Sequence, residues 1–165
     1  MSDTARLVVV CGLPGAGKTT VAEAAAERLG ATLVRTDAVR KELVAEPTYS
    51  SRESQRTYDE VFRRAATRLA AEDSVVLDGT FRRAARRDRA RTVAVDAGVP
   101  FTLLRVTCDE ATAKARIRAR EDDESDADAA VYDLLCEEFE PVDDPIVVDN
   151  SGDLDATLAR VREIL

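Results

Sequence analysis

Five short apolar runs punctuate the chain, separated by stretches whose apolar residues recur three or four positions apart. The runs are Arg6–Cys11 (RLVVVC), Thr32–Arg35 (TLVR), Ser74–Leu77 (SVVL), Phe101–Thr107 (FTLLRVT) and Pro145–Val148 (PIVV). Each is too short for a helix and rich in β-branched residues, so each predicts a strand. The alanine-rich segments between them predict helices over roughly Lys18–Leu29, Asp37–Ala45, Arg52–Glu72, Ala84–Ala97, Glu110–Glu121, Asp128–Glu138 and Asp153–Leu165. Gly30 and Gly98 stand just past two of these helices, where a left-handed residue commonly ends one. Continuous apolar strands alternating with helices predict an α/β fold, a parallel sheet covered on both faces. The acidic Glu121–Ala130 segment (EDDESDADAA) is the least core-like and predicts a loop.

The 165 residues are the length of one ordinary domain, and a single domain over 1–165 is expected. No run approaches the roughly 18 apolar residues of a membrane span. Met1-Ser2-Asp3-Thr4 carries no basic, apolar leader, so a cytoplasmic location is expected. Cys11, Cys108 and Cys136 lack short metal-ligand spacing and read as reduced thiols.

Charge changes this picture. The formal net charge is -8, yet residues 1–120 carry 22 bases and 16 acids, and residues 121–165 carry 2 bases and 16 acids. The first part therefore suits an anionic ligand, while the acidic end argues against wrapping around nucleic acid. Bases are 21 arginines against three lysines, Lys18, Lys41 and Lys114. With abundant Asp, Glu and Ala, this composition predicts a halophilic, salt-adapted protein. The chain has no histidine, so any acid–base step must use a carboxylate, a lysine or water.

Gly12-Leu13-Pro14-Gly15-Ala16-Gly17-Lys18-Thr19, with Thr20 following, fits G-x-x-x-x-G-K-[ST], the Walker A pattern. An apolar strand precedes it and a helix follows, the context in which such a loop cradles phosphate. Lys18 is placed to reach the β- and γ-phosphates of ATP, and the Thr19 hydroxyl to hold Mg²⁺. Asp78, ending the run Ser74–Leu77, fits the carboxylate that orients the hydrated metal, on the strand beside the P-loop strand.

Two further pairs suggest transfer to an acceptor. Asp37 and Arg40 stand three apart at a helix start and share a face. Two readings of the helix start stay open. Either Asp37 takes a proton from an attacking hydroxyl while Arg40 holds an anionic acceptor, or Thr36 and Asp37 cap the helix. Arg116 and Arg120, four apart, would neutralise phosphate charge or form a solvated stripe.

Together GLPGAGKTT, RTDAVRKEL, VVLDGTF followed by arginines, and ARIRARED resemble the small P-loop kinases. The likeness is to polynucleotide-kinase kinase domains and the zeta-toxin and gluconate-kinase group of AAA-type P-loop ATPases. It implies a three-layer fold, a five-stranded parallel sheet ordered 2-3-1-4-5 and a short lid near residues 116–130. It also implies Asp37 as general base, Arg40 as an acceptor-binding residue and Asp78 in the metal or substrate site. Arg116 and Arg120 would be lid arginines on the ATP phosphates, and Thr80 a hydroxyl on the substrate side.

The stretch Arg82–Arg91 holds six arginines in ten residues, which suits either an oligonucleotide's phosphates or pairing with the chain's acids. Low aromatic content, 4%, favours pairing over single-strand binding. Asp153 is expected to cap the last helix. The expected activity is an ATP-dependent kinase acting on a hydroxyl of a small molecule or a 5′-hydroxyl nucleotide or polynucleotide, with ATP and Mg²⁺. The competing class is a nucleotide-binding switch that acts through a partner protein. The absence of an Asn-Lys-x-Asp motif speaks against a guanine-specific one.

Overall fold

Every residue of the first strand, β1 (Leu7–Cys11), is fully buried, and its alternating side chains supply two separate cores. The computed structural model describes residues 4–119 and 129–165. Leu7, Val9 and Cys11 point to one face of the sheet, and Val8 and Val10 to the other. A strand buried on both sides must be apolar at consecutive positions, which is why this run lacks polar alternation.

The chain then runs α1 (Lys18–Leu29), β2 (Thr32–Arg35), α2 (Thr36–Leu43), α3 (Ser51–Ala70), β3 (Val75–Asp78) and α4 (Ala84–Ala97). It continues with β4 (Phe101–Thr107), α5 (Glu110–Ala119), α6 (Ala129–Glu138), β5 (Ile146–Asp149) and α7 (Leu154–Ile164). The five strands are parallel in the order β2-β3-β1-β4-β5. This is the α/β P-loop arrangement expected above, with β1 central.

On one face, Tyr58, Val61, Phe62 and Ala65 of α3 and Ala90 and Ala94 of α4 close over Leu77, Val75 and Leu103. On the other, Val21, Ala22 and Ala25 of α1 and Val161 of α7 cover Val76, Leu104, Val106 and Val148. The small alanines let α1 and α4 sit close to the sheet. Gly30 and Gly98 end those two helices in the left-handed conformation, with φ of 61° and 68°.

Several boundaries differ from the sequence pattern by one or two residues. Asp78 belongs to β3, because it pairs with Val10 on one side and with Arg35 on the other. The third helix starts earlier, at Ser51, since the Ser50 hydroxyl accepts the Glu53 N–H as an N-cap. The ends of two expected helices, at Arg120–Glu121 and Asp128, and most of the acidic loop lie outside the described residues. Among the described residues no helix is long and apolar enough to cross a membrane.

Leu77 is fully buried beside the central strand. Leu77→Ala is expected to lower unfolding free energy by about 2–5 kcal/mol, read from urea denaturation.

Candidate active site

The site gathers where β1, β2 and β3 end at the same edge of the sheet. In an open parallel sheet this is the edge at which loops leave the strands and ligands enter. The P-loop follows β1 directly, and Gly15 (φ 79°) and Gly17 (φ 86°) let it double back into α1. Left-handed residues in such a loop bring successive N–H groups into a concavity suited to an anion. Gly17 also serves as the N-cap of α1, so no capping side chain takes the first-turn N–H groups, and that turn carries no acid. The helix end is left with its partial positive charge facing the loop.

Space is as restrictive as conformation here. A Cβ on Gly17 would lie 2.1 Å from Asn150 Nδ2, and one on Gly15 would lie 2.5 Å from the Ala113 carbonyl oxygen. Gly12 is packed equally tightly, 2.5 Å from the Val106 carbonyl oxygen. Leu13 and Pro14 form the loop's half-buried crest, Ala16 is buried beneath it, and Thr20 is exposed on α1. Lys18 Nζ folds back over the loop and donates to the Leu13 carbonyl at 3.1 Å.

Thr19 and Asp78 meet across the β1–β3 pair. The Thr19 hydroxyl donates to Asp78 Oδ2 at 3.0 Å, and Arg35 Nη2 lies 3.4 Å from the same hydroxyl. Arg35 Nε is also 3.4 Å from Asp78 Oδ2. Burial pushes the Asp78 carboxyl above its ordinary range, while Lys18, the Thr19 hydrogen bond and Arg35 pull it down and the nearby Asp37 charge adds to the rise. A hydroxyl and a buried carboxylate are hard oxygen donors of the type magnesium takes one or two at a time alongside phosphates and water. The residues present therefore fit a nucleotide-bound magnesium ion.

Asp37 is exposed in the first turn of α2, after the end of β2. The N-cap of α2 is Arg35 and no side chain caps the helix, so neither Thr36 nor Asp37 is spent in capping. Arg40 differs from the sequence expectation of an acceptor contact. It is buried, 2.6 Å from Glu53 Oε2, donates to Ser54 Oγ at 3.2 Å, and lies over the Tyr49 ring. Its Nη atoms are thereby turned to α3, where they tie α2 to the start of that helix. Glu53 completes the joint by accepting the Thr48 and Tyr49 N–H groups, each at 2.8 Å. The Thr48 contact leads in holding the Glu53 carboxyl below its ordinary range, with Arg40 and Tyr49 adding to it against some burial.

Arg116, on α5, reaches the backbone of the P-loop. Its Nη1 contacts the Gly15 and Ala16 carbonyls at 3.2 and 3.4 Å, and its Nη2 donates to the Asn150 carbonyl at 2.8 Å. It braces the P-loop from α5. Arg120 lies outside the described residues, as does the central part of the expected lid.

Three residues of this architecture escaped sequence reasoning. Asn150 is buried after β5, donates from Nδ2 to the Ala16 carbonyl at 2.9 Å and accepts the Thr157 hydroxyl at 2.8 Å. Tyr58 and Arg87 hold the corner after Asp78-Gly79-Thr80. Phe81 there has a left-handed φ of 45°, costly for an aromatic residue. Its N–H donates to the Tyr58 hydroxyl at 3.2 Å, its carbonyl accepts Arg87 at 3.0 Å, and its ring is fully buried. Thr80 is half-buried on the same corner and its carbonyl accepts the Gly12 N–H at 3.4 Å. The one sequence signal for the α3 joint was the Ser50-x-x-Glu53 spacing of a capping box.

The arginine-rich stretch is largely paired. Arg82 faces Glu138 at 3.6 Å, Arg83 faces Glu140 at 3.9 Å, Arg89 pairs with Asp59, and Arg91 lies over Phe101. Arg87 is buried on the Phe81, Glu140 and Pro141 carbonyls. A cleft of about 450 Å³ between α4 and the β4–β5 side, with Arg87, Arg91 and Asp143 on its walls, contains none of the P-loop residues.

The P-loop, the sheet order and the β3 carboxylate define a P-loop kinase-like fold. The chain belongs to the AAA_33 family, an AAA domain whose model matches residues 7–142. It is 31% identical over 173 residues to the uncharacterized Mycobacterium tuberculosis protein Rv2004c, covering 98% of this chain and 35% of that protein. The chain thus spans about a third of the length of the curated relatives it matches. Its fold is similar to a gluconokinase from Sinorhizobium meliloti, at 20% identity and a TM-score of 0.73 over 99% of this chain and 95% of the other. The Mycobacterium tuberculosis APS kinase CysC, solved with AMPPNP and APS, is similar at 18% identity and a TM-score of 0.75, covering 99% and 98%. Chaetomium thermophilum Kti12, solved with ADP-AlF3, matches at 19% identity and a TM-score of 0.72, covering 96% of each chain.

Two substitutions probe the braces. Asn150→Ala removes the donor to the Ala16 carbonyl and is expected to lower stability by about 1–3 kcal/mol and to weaken AMPPNP binding by calorimetry. Because Glu53 is held below its ordinary pKa of 4.5, the stability it adds is present above that pH and is lost as pH falls through its folded pKa. The gap in urea midpoint between wild type and Glu53→Gln is expected to be wide at pH 7 and to close at lower pH.

Proposed function

We propose that this chain is an ATP-dependent phosphotransferase that moves the γ-phosphoryl group to a hydroxyl. The observation that carries this reading is the single sheet edge on which the P-loop, the Thr19–Asp78 pair and the exposed Asp37 converge. The first part binds a nucleotide's phosphates; the last offers a proton acceptor beside them. The kinase-like neighbours and the family membership support the same conclusion.

The N–H groups of residues 12–19 and the α1 terminus would receive the β- and γ-phosphates, with Lys18 moving from the Leu13 carbonyl onto their oxygens. Thr19 and Asp78 would hold magnesium, which when bound neutralises phosphate charge. The acceptor oxygen attacks the γ-phosphorus as its proton passes to an Asp37 carboxylate oxygen. The bond from that phosphorus to the β–γ bridging oxygen breaks, leaving ADP and a phosphate ester. Positioning and electrostatics would supply most of the rate in so loose a transition state, so histidine is not required. Arg120 remains a proposed phosphate contact. Arg116 acts in this scheme by fixing the P-loop, and Arg40 by fixing α2 beneath Asp37.

The test is to screen γ-labelled ATP against sugars, sugar acids, nucleosides and 5′-hydroxyl oligonucleotides, at low and at molar salt given the acidic composition. Lys18→Ala is expected to slow transfer on the order of 10²–10³-fold. Asp37→Ala is expected to leave AMPPNP affinity unchanged and slow transfer by about 10²–10⁴-fold. Transfer unchanged in Asp37→Ala would remove the base assignment. Hydrolysis without any labelled acceptor would favour a nucleotide switch acting through a partner.

A further inference from the structure

We propose that Arg86 holds an anionic group, a carboxylate or a phosphate monoester, on the small hydroxyl-bearing acceptor. The inference rests on the phosphotransferase reading above and adds to it the substrate's charge.

Arg86 lies in the first turn of α4, just beyond the Asp78–Phe81 corner. Its Cζ is 4.1 Å from the centroid of the Tyr58 ring. Tyr58 is an immobile platform: buried, packed edge-on against Phe81 at 5.1 Å, and fixed by accepting the Phe81 N–H. A guanidinium stacked on a ring keeps its plane while its N–H edge stays available to a planar or tetrahedral anion.

What singles out Arg86 is the contrast with its neighbours. Arg82, Arg83 and Arg89 face carboxylates, Arg87 is spent on backbone carbonyls, and Arg91, which also stacks on a ring, lines the cleft that contains no P-loop residue. Among the described residues no carboxylate pairs with Arg86, whose own polar contact is Tyr58. Burial disfavours its charge, and Arg82 and Arg40 repel it further. Arg40 on α2 and Arg82, just before α4, thus lie within electrostatic reach of Arg86, whereas the carboxylate within such reach, Asp59, is already hydrogen-bonded to Arg89 and Gln55. Arg40 is compensated by Glu53, so the position that an acceptor's anion would neutralise is Arg86.

The experiment measures binding and turnover separately, on the whole chain. Calorimetry with AMPPNP and Mg²⁺ present would titrate gluconate, glycerate, ribose 5-phosphate and nucleoside 3′-monophosphates beside glucose, glycerol, ribose and nucleosides. At least one anionic compound is expected to bind and its neutral counterpart not. Whether the carboxylates or the phosphates respond identifies the anion. Arg86→Gln is expected to weaken that binding at least tenfold while leaving AMPPNP affinity and thermal midpoint close to wild type, and Arg86→Lys to restore part of it. In turnover the Arg86→Gln loss is expected in KM rather than kcat. Preference for a neutral acceptor, no response from any anionic compound, or binding unaltered in Arg86→Gln would each overturn the assignment. Arg86-dependent binding without phosphoryl transfer would uphold it and instead remove the kinase reading.

Discussion

A loop that turns its N–H groups toward an anion must turn carbonyls away from it, and those carbonyls need donors where water is scarce. Much of the molecule around the P-loop answers that constraint. Lys18 and the Ala16 N–H serve the Leu13 carbonyl, and Arg116 and Asn150 serve Gly15 and Ala16. The last two donors come from α5 and from the turn after β5, 101 and 134 residues further along the chain. The glycines complete the arrangement by leaving no Cβ in space that Asn150, Ala113 and Val106 already fill.

The Asp37 side of the site is built on a second joint. Arg40 and Glu53 join α2 to α3, and Tyr58, one helical turn and a half beyond Glu53, fixes the left-handed Phe81 after β3. Exposed Asp37, in the first turn of α2, and buried Asp78, at the end of β3, are thereby set near adjacent strand ends with different surroundings. Asp78 is taken up with Thr19 and Arg35, whereas Asp37 faces solvent. This division favours a positioning role for the first carboxylate and proton transfer for the second. Arg40, Arg87 and Arg116 bond to protein groups and so set the backbone and helices around the candidate site.

Local pattern was sufficient for what depends on neighbours along the chain. The apolar runs marked five strands because burial on both faces demands consecutive apolar residues, and the P-loop declared itself through glycines whose spacing only a few backbone shapes require. The resemblance of the remaining motifs supplied the strand order. The roles of Arg40 and Arg116 were not legible, since an arginine's sequence neighbours do not reveal whether its guanidinium meets a ligand, a carboxylate or a carbonyl. Asn150, Tyr58 and Arg87 were missed for the same reason, as their partners lie 134, 23 and 6 residues away.

The sequence by itself therefore determined the layered α/β fold, the phosphate-binding loop and the carboxylate at the end of β3. Each of these follows from periodicity or from a short contiguous motif. Only the tertiary structure decided that Arg40, Arg87 and Arg116 brace protein groups while Arg86 stacks on Tyr58. Pairing is a matter of distance in space, and helices crossing over the sheet bring Glu53 to Arg40 and Asn150 to the P-loop while leaving Arg86 against an aromatic ring.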